Sequence, residues 1–127
     1  MSKRILIHGA DPILLETRSR ILSLNGFAVE TVLNVSILAD LIQSRRPDLL
    51  VVCFSLPSDS QQRDVRAANA LRPKVKCLVV DPRIHNGTEI IEADAVFHAF
   101  DGPAMFITEV EKLVSPSSDQ FSSATTL

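Results

Sequence analysis

No glycine-rich phosphate loop is present in the chain. Of its four glycines, Gly9 stands alone after an apolar run, with neither a dinucleotide-binding fingerprint nor a P-loop lysine behind it. A nucleophile elbow and zinc-type Cys/His spacing are also missing. No apolar run approaches the ~18 residues of a membrane span. The stretch Ile5–Ile7 after Lys3 and Arg4 is too short for a signal peptide, and no small-residue cleavage site follows it. Charge of either sign is in short supply as an excess: the formal net charge is −2, with the basic residues scattered rather than striped. That removes the electrostatic case for binding nucleic acid or an anionic membrane. Cysteines are few, and both Cys53 and Cys77 lie inside apolar runs. They read as reduced core residues of a cytoplasmic protein. Internal repeats are absent.

What is there is enough for one domain. The 127 residues, 46% hydrophobic and 22% charged, bury a core without disulfide or metal staples. The chain alternates strand and helix. Lys3–His8 reads as a first strand, closed by Gly9-Ala10-Asp11-Pro12, with Asp11 as the N-cap and Pro12 at the first position of a helix. Leu14 and Leu15 return as Ile21 and Leu22 to give that helix one apolar face, and Gly26 suits a left-handed cap. Phe27–Val32 alternates as an edge strand does. Asn34 then caps a second helix with Val35, Leu38, Leu41 and Ile42 at helical spacing, ending before Pro47.

Leu49–Phe54 is a continuous apolar run between Pro47 and Pro57, the mark of a parallel strand covered on both faces. Ser58-Asp59-Ser60 starts a polar third helix, with Gln61, Gln62, Arg63, Asp64 and Arg66 expected outside and a thin apolar face of Val65, Ala68 and Leu71. Val75–Val80 is a fourth strand, ending at Asp81-Pro82. Residues Asn86–Glu92 suit a helix of one or two turns, and Ala95–Phe100 a fifth strand. Asp101-Gly102-Pro103 opens a last helix with Phe106, Val110 and Leu113 inward, so the domain spans residues 1–114. The Ser/Thr-rich residues 115–127 are too polar to order themselves and read as a disordered tail.

Right-handed crossovers turn this alternation into an α/β fold, a flavodoxin-like (βα)5 doubly wound parallel sheet. The expected strand order is 2-1-3-4-5, which places strands 1 and 3 together at the switch point where ligands sit. Candidate polar groups at the strand carboxyl ends are His8, Asp11, Ser55, Asp59, Asp81 and His98.

Residues 3–114 resemble the receiver domain of bacterial two-component response regulators. The likeness is carried by Arg4-Ile5-Leu6-Ile7 with Pro12 beyond, by Asn25-Gly26-Phe27, and by Arg46-Pro47-Asp48-Leu49-Leu50-Val51-Val52 with Ser55-Leu56-Pro57. Glu92-Ala93-Asp94-Ala95 resembles the start of the family's fifth strand, and Phe100-Asp101 its exit. The resemblance implies an acidic pair holding Mg²⁺, a phospho-acceptor aspartate, a hydroxyl, a lysine and a switch aromatic. In this chain the acidic-pair positions are Gly9 and Ala10, with Asp11 the nearest acid, and the acceptor position is Cys53. The hydroxyl position is Asp81. The lysine position is Ala99 or His98, and the switch-aromatic position Val96 or Ala95, depending on which end of the fifth strand anchors the match. The segment before Glu92 is about one helical turn shorter than in the family, giving a shortened fourth helix.

The physical consequence is specific. Mg²⁺ takes carboxylate oxygens in near-octahedral array, and Gly9 and Ala10 provide no side-chain oxygen. Phosphoryl transfer needs an oxygen nucleophile and cations to neutralise developing charge, whereas Cys53 offers a thiol. A carboxylate at Asp81 would repel a phosphate. The expectation is a degenerate, stand-alone pseudo-receiver without enzyme activity, metal or cofactor. It would act as a phosphorylation-independent interaction module in phosphorelay signalling. Because the chain ends about thirteen residues beyond the fold, its output is expected to pass through a protein partner, such as a sensor kinase, or through a homodimer.

Two alternatives keep the same scaffold. In one, Cys53 is a thiol sensor, with His8 one strand away to lower its pKa; the apolar neighbours Val52 and Phe54 and the lack of a cation at Gly9 and Ala10 oppose it. In the other, His8, Asp81 or His98 serves a small-ligand enzyme. Cys77, several residues below the rim on the adjacent strand, is poorly placed to pair with Cys53.

Overall fold

A computed structural model describes residues 3–33, 38–81, 93–98 and 102–114. The elements run β1 (Arg4–Gly9), α1 (Pro12–Leu24), β2 (Ala28–Leu33), α2 (Leu38–Arg45), β3 (Leu49–Cys53), α3 (Ser58–Asn69), β4 (Lys76–Asp81), β5 (Ala95–His98) and α4 (Pro103–Val114). All five strands are parallel and lie in the order β2-β1-β3-β4-β5. The apolar run beginning at Leu49 is the central strand, and every residue of β3 is buried. It ends one residue earlier than expected, because Phe54 turns out of the sheet. β2 is an edge, as its alternation implies.

Strand alternation divides the interior into two layers. Ile5, Ile7, Leu49, Val51, Cys53, Leu78 and Val80 face α1 and α4, where Leu15, Leu22, Phe106 and Val110 meet them. Leu6, Leu50, Val52, Cys77 and Val79 face α2 and α3, against Ile42, Val65 and Ala68. Fully burying a side chain such as Leu22 or Ile42 contributes about 1.5–3 kcal/mol.

Local signals place the helices. Asp11 caps α1, accepting from the Ile13 and Leu14 amides at 3.0 and 3.3 Å with Pro12 at the first helical position. Gly26 takes a φ of +93° just past the helix end, a conformation that costs a residue with a Cβ. Lys76 Nζ donates to the Leu113 carbonyl at 3.0 Å, satisfying an end carbonyl of α4.

One expectation is overturned. Asp64 is not on the exposed face of α3: it is 4% exposed and points at the sheet. Gln61 and Gln62 are half-buried rather than outside. The Asn34 cap, Val35, the short helix over 86–92, the strand end at 99–101 and the tail 115–127 lie outside the described residues, as do the side chains of Asp81 and His98.

Candidate functional site

The carboxyl ends of β1 and β3 adjoin, with His8 opposite Val52, so the residues at and just past these ends, Gly9, Ala10, Cys53 and Ser55, bound the crevice. This is the switch-point location expected of a doubly wound sheet, and the packing around Gly9 is tight. A Cβ placed on Gly9 would stand 3.1 Å from Ser55 Oγ, 3.2 Å from Cys53 Cβ and 3.2 Å from Leu15 Cδ2. The Ser55 hydroxyl accepts from the Ala10 amide at 2.9 Å, tying the two loops together. Cys53 is fully buried.

The most informative residue here is one that motif reading passes over. Arg18, on α1, is 9% exposed and its Nη1 donates to Cys53 Sγ at 3.4 Å. Its guanidinium carbon sits 5.5 Å from the centre of the Phe54 ring, a cation–π distance. No carboxylate pairs with it among the described residues. The signal was positional: Leu15, Arg18 and Leu22 lie three and four residues apart, so Arg18 occupies a place on the inward stripe of its helix. Its presence corrects the expectation that no cation stands near Cys53. Burial nevertheless dominates and pushes the Cys53 thiol up, against the opposing charge and hydrogen bond of Arg18 and with a smaller upward push from Asp11.

His8 faces the other layer, on the same side as Leu6 and α3. Its Nδ1 lies 2.6 Å from Asp64 Oδ2, with the two side chains 2% and 5% exposed. His8 is therefore not a neighbour of the Cys53 thiol, contrary to the expectation attached to the thiol-sensor reading. Cys77 also lies in the second layer, while Cys53 lies in the first, and both are free. The Cys77 thiol is pushed up to about 12 by burial first and by Asp94 next, against Lys74.

The remaining candidates scatter. Asp59 is exposed in the first turn of α3. Asp81 and His98 stand opposite each other at the ends of β4 and β5. Val96 and Ala95, both half-buried, pack on the second and first layers respectively. Ala99 lies outside the described residues. Positions 9 and 10 offer a Mg²⁺ ion no side-chain oxygen, and Oδ1 of Asp11 accepts from two backbone amides. Among the described residues no group of three or more His, Cys, Asp or Glu is placed to hold a metal. No helix among them is long and apolar enough to cross a membrane.

No family model matches the chain, and no curated protein matches it by sequence. Solved structures do match. A CheY-like response regulator receiver domain from Methanospirillum hungatei superposes with a TM-score of 0.76 at 20% identity, covering 94% of this chain and 99% of that one. A response regulator signal receiver domain from Bermanella marisrubri gives 0.75 at 21% identity, over 91% and 100%. The receiver domain of a sensor histidine kinase from Pseudomonas aeruginosa, a structure with magnesium coordinated in its active-site cleft, gives 0.75 at 15% identity, over 90% and 98%. The architecture is thus the flavodoxin-like fold of CheY-like receiver domains.

Proposed function

We propose that this chain is a pseudo-receiver: a non-catalytic, phosphorylation-independent module that acts in cytoplasmic bacterial signal transduction by binding another protein. The observation that carries this reading is the tight packing around Gly9 in the crevice. An acidic residue there would need room that Ser55, Cys53 and Leu15 occupy at 3.1–3.2 Å. The neighbouring acceptor position holds a thiol already engaged by Arg18. A receiver-like architecture with a tightly packed glycine at position 9 and a thiol at position 53 is suited to recognition through its surface. The partner we propose is a signalling protein, such as a sensor kinase, or a second copy of the chain.

The test is incubation of the full chain with Mg²⁺ and a small phosphodonor such as acetyl phosphate, read by intact mass and by thermal unfolding. The expected result is no acyl-phosphate adduct and no Mg²⁺-dependent change in melting temperature. A stoichiometric phosphorylated species, or saturable Mg²⁺ stabilisation, would overturn the reading. A thiol-sensor role for Cys53 is less well supported: Arg18 favours it, but full burial and the upward push on the thiol oppose it.

A further inference from the structure

Arg18 poses a problem that the interaction reading leaves unsolved. A guanidinium carries five donors and a permanent charge. Here it is nine-tenths buried, and among the described residues its one hydrogen-bond acceptor is a thiol, a weak one. Asp11, an acid that acts on the neighbouring Cys53 thiol, is occupied in capping α1. Burying a charge without a counter-charge is costly unless something pairs with it.

Arg18 lines a cleft of about 230 Å³ between α1 and α4, whose walls include Leu14, Thr17, Ile21, Val80, Phe97 and Phe106. The Phe97 and Phe106 rings among these walls lie 5.5 Å apart and are tilted by 42°. This cleft therefore combines one buried cation with apolar and aromatic walls, the composition of a small-molecule site. Its volume is below the ~300–1,000 Å³ of sites for drug-sized ligands, which sets a small occupant.

We propose that the α1–α4 cleft binds a small amphiphilic monocarboxylate, its carboxylate on Arg18 and its short alkyl or single-ring body between Leu14, Phe97 and Phe106. The planar fork of Arg18 suits a carboxylate, and the apolar walls suit a body that a bare inorganic anion lacks. This proposal does not depend on the pseudo-receiver reading, since it uses neither the acceptor position nor a protein partner.

Titration of the full chain with hexanoate, followed by calorimetry and by NMR shifts of the Phe97 and Phe106 rings, tests it. Hexanoate is expected to bind saturably and to shift those rings. Hexanol, which keeps the body and lacks the charge, and acetate, which keeps the charge and lacks the body, are each expected to bind about tenfold or more weakly. Arg18→Met, which preserves the stem and removes the charge, is expected to lose hexanoate binding by about tenfold or more while keeping that for hexanol. Absence of saturable hexanoate binding to the unmodified chain overturns the proposal, as does equal affinity for hexanoate and hexanol. Because that comparison uses the unmodified chain, the outcome stands even if Arg18→Met does not fold.

Discussion

His8 on β1 and Asp64 on α3, 56 residues apart in the chain, meet at 2.6 Å with both side chains almost wholly buried. The pair fastens α3, whose apolar face is only Val65 and Ala68, to the centre of the sheet. The polar contact supplements hydrophobic burial that is modest for a helix of this length.

Removing one member of that pair deletes a buried polar contact of the other. Asp64→Ala is therefore expected to lower the unfolding free energy by about 2–4 kcal/mol. The double variant His8→Ala/Asp64→Ala should lose markedly less than the sum of the two single alanine changes. Urea unfolding of the four proteins, treated as a double-mutant cycle, measures the coupling. Additive losses would mean that the two side chains do not act together.

At Gly9 a single methyl group is enough to disturb the fold. Gly9→Ala removes chain entropy from the unfolded state, which favours folding by about 0.4–1 kcal/mol where the native backbone accepts a side chain. Against this, the new Cβ meets Ser55 Oγ, Cys53 Cβ and Leu15 Cδ2 at 3.1–3.2 Å, and overpacking of such sites costs about 1–3 kcal/mol. The Cys53 Cβ belongs to the central strand and cannot retreat, so overpacking should win and stability should fall. Chemical denaturation of Gly9→Ala beside the unmodified chain reads the sign.

The cysteines predict an alkaline loss of stability. Cys77 is held at about 12 against an ordinary value of 9.0. The folded state thus keeps a proton that the unfolded state gives up. Its contribution is complete below pH 9 and declines as pH rises from about 9 towards 12, by up to about 1.4 kcal/mol per pH unit. Cys77→Ala should flatten that decline between pH 9 and 11 in denaturant titrations. The chain contains no tyrosine, so no phenol titrates in the same window.

Thiol labelling should report unfolding. Cys53 and Cys77 are both fully buried, and both thiols are pushed up by burial. Iodoacetamide at neutral pH should therefore modify neither in the folded chain and both in denaturant. Rapid labelling of Cys53 alone under native conditions would require an opening of the α1 side of the sheet and would revive the thiol-sensor reading.

The residues that built the fold were legible because their signals are local. The two-sided apolar run from Leu49 named the central strand, and Asp11-Pro12 marked the start of α1, where the structure puts it. The buried charges were harder. Asp64 sits among Gln61, Gln62, Arg63 and Arg66, so composition assigns it to solvent, and its partner is supplied by a strand distant in sequence. Arg18 was concealed in the same way, although its spacing from Leu15 and Leu22 marks an inward position. In both cases a contact made only in the tertiary structure decides the side chain's place. A charged residue at a stripe position is the feature that would have flagged each.

The tight fit around Gly9 also orders the mutational routes open to this chain. Changing Cys53 to an aspartate is one step, but it adds no second acid beside it. Placing an acid at position 9 requires Ser55, Cys53 or Leu15 to give way by a few tenths of an ångström. Reducing Ser55 first removes the acceptor for the Ala10 amide, and reducing Leu15 first opens the core beneath α1. Each available first step carries a loss with no immediate gain. Replacement of the acceptor residue alone therefore leaves the chain separated from a metal-binding crevice by a valley of less stable intermediates.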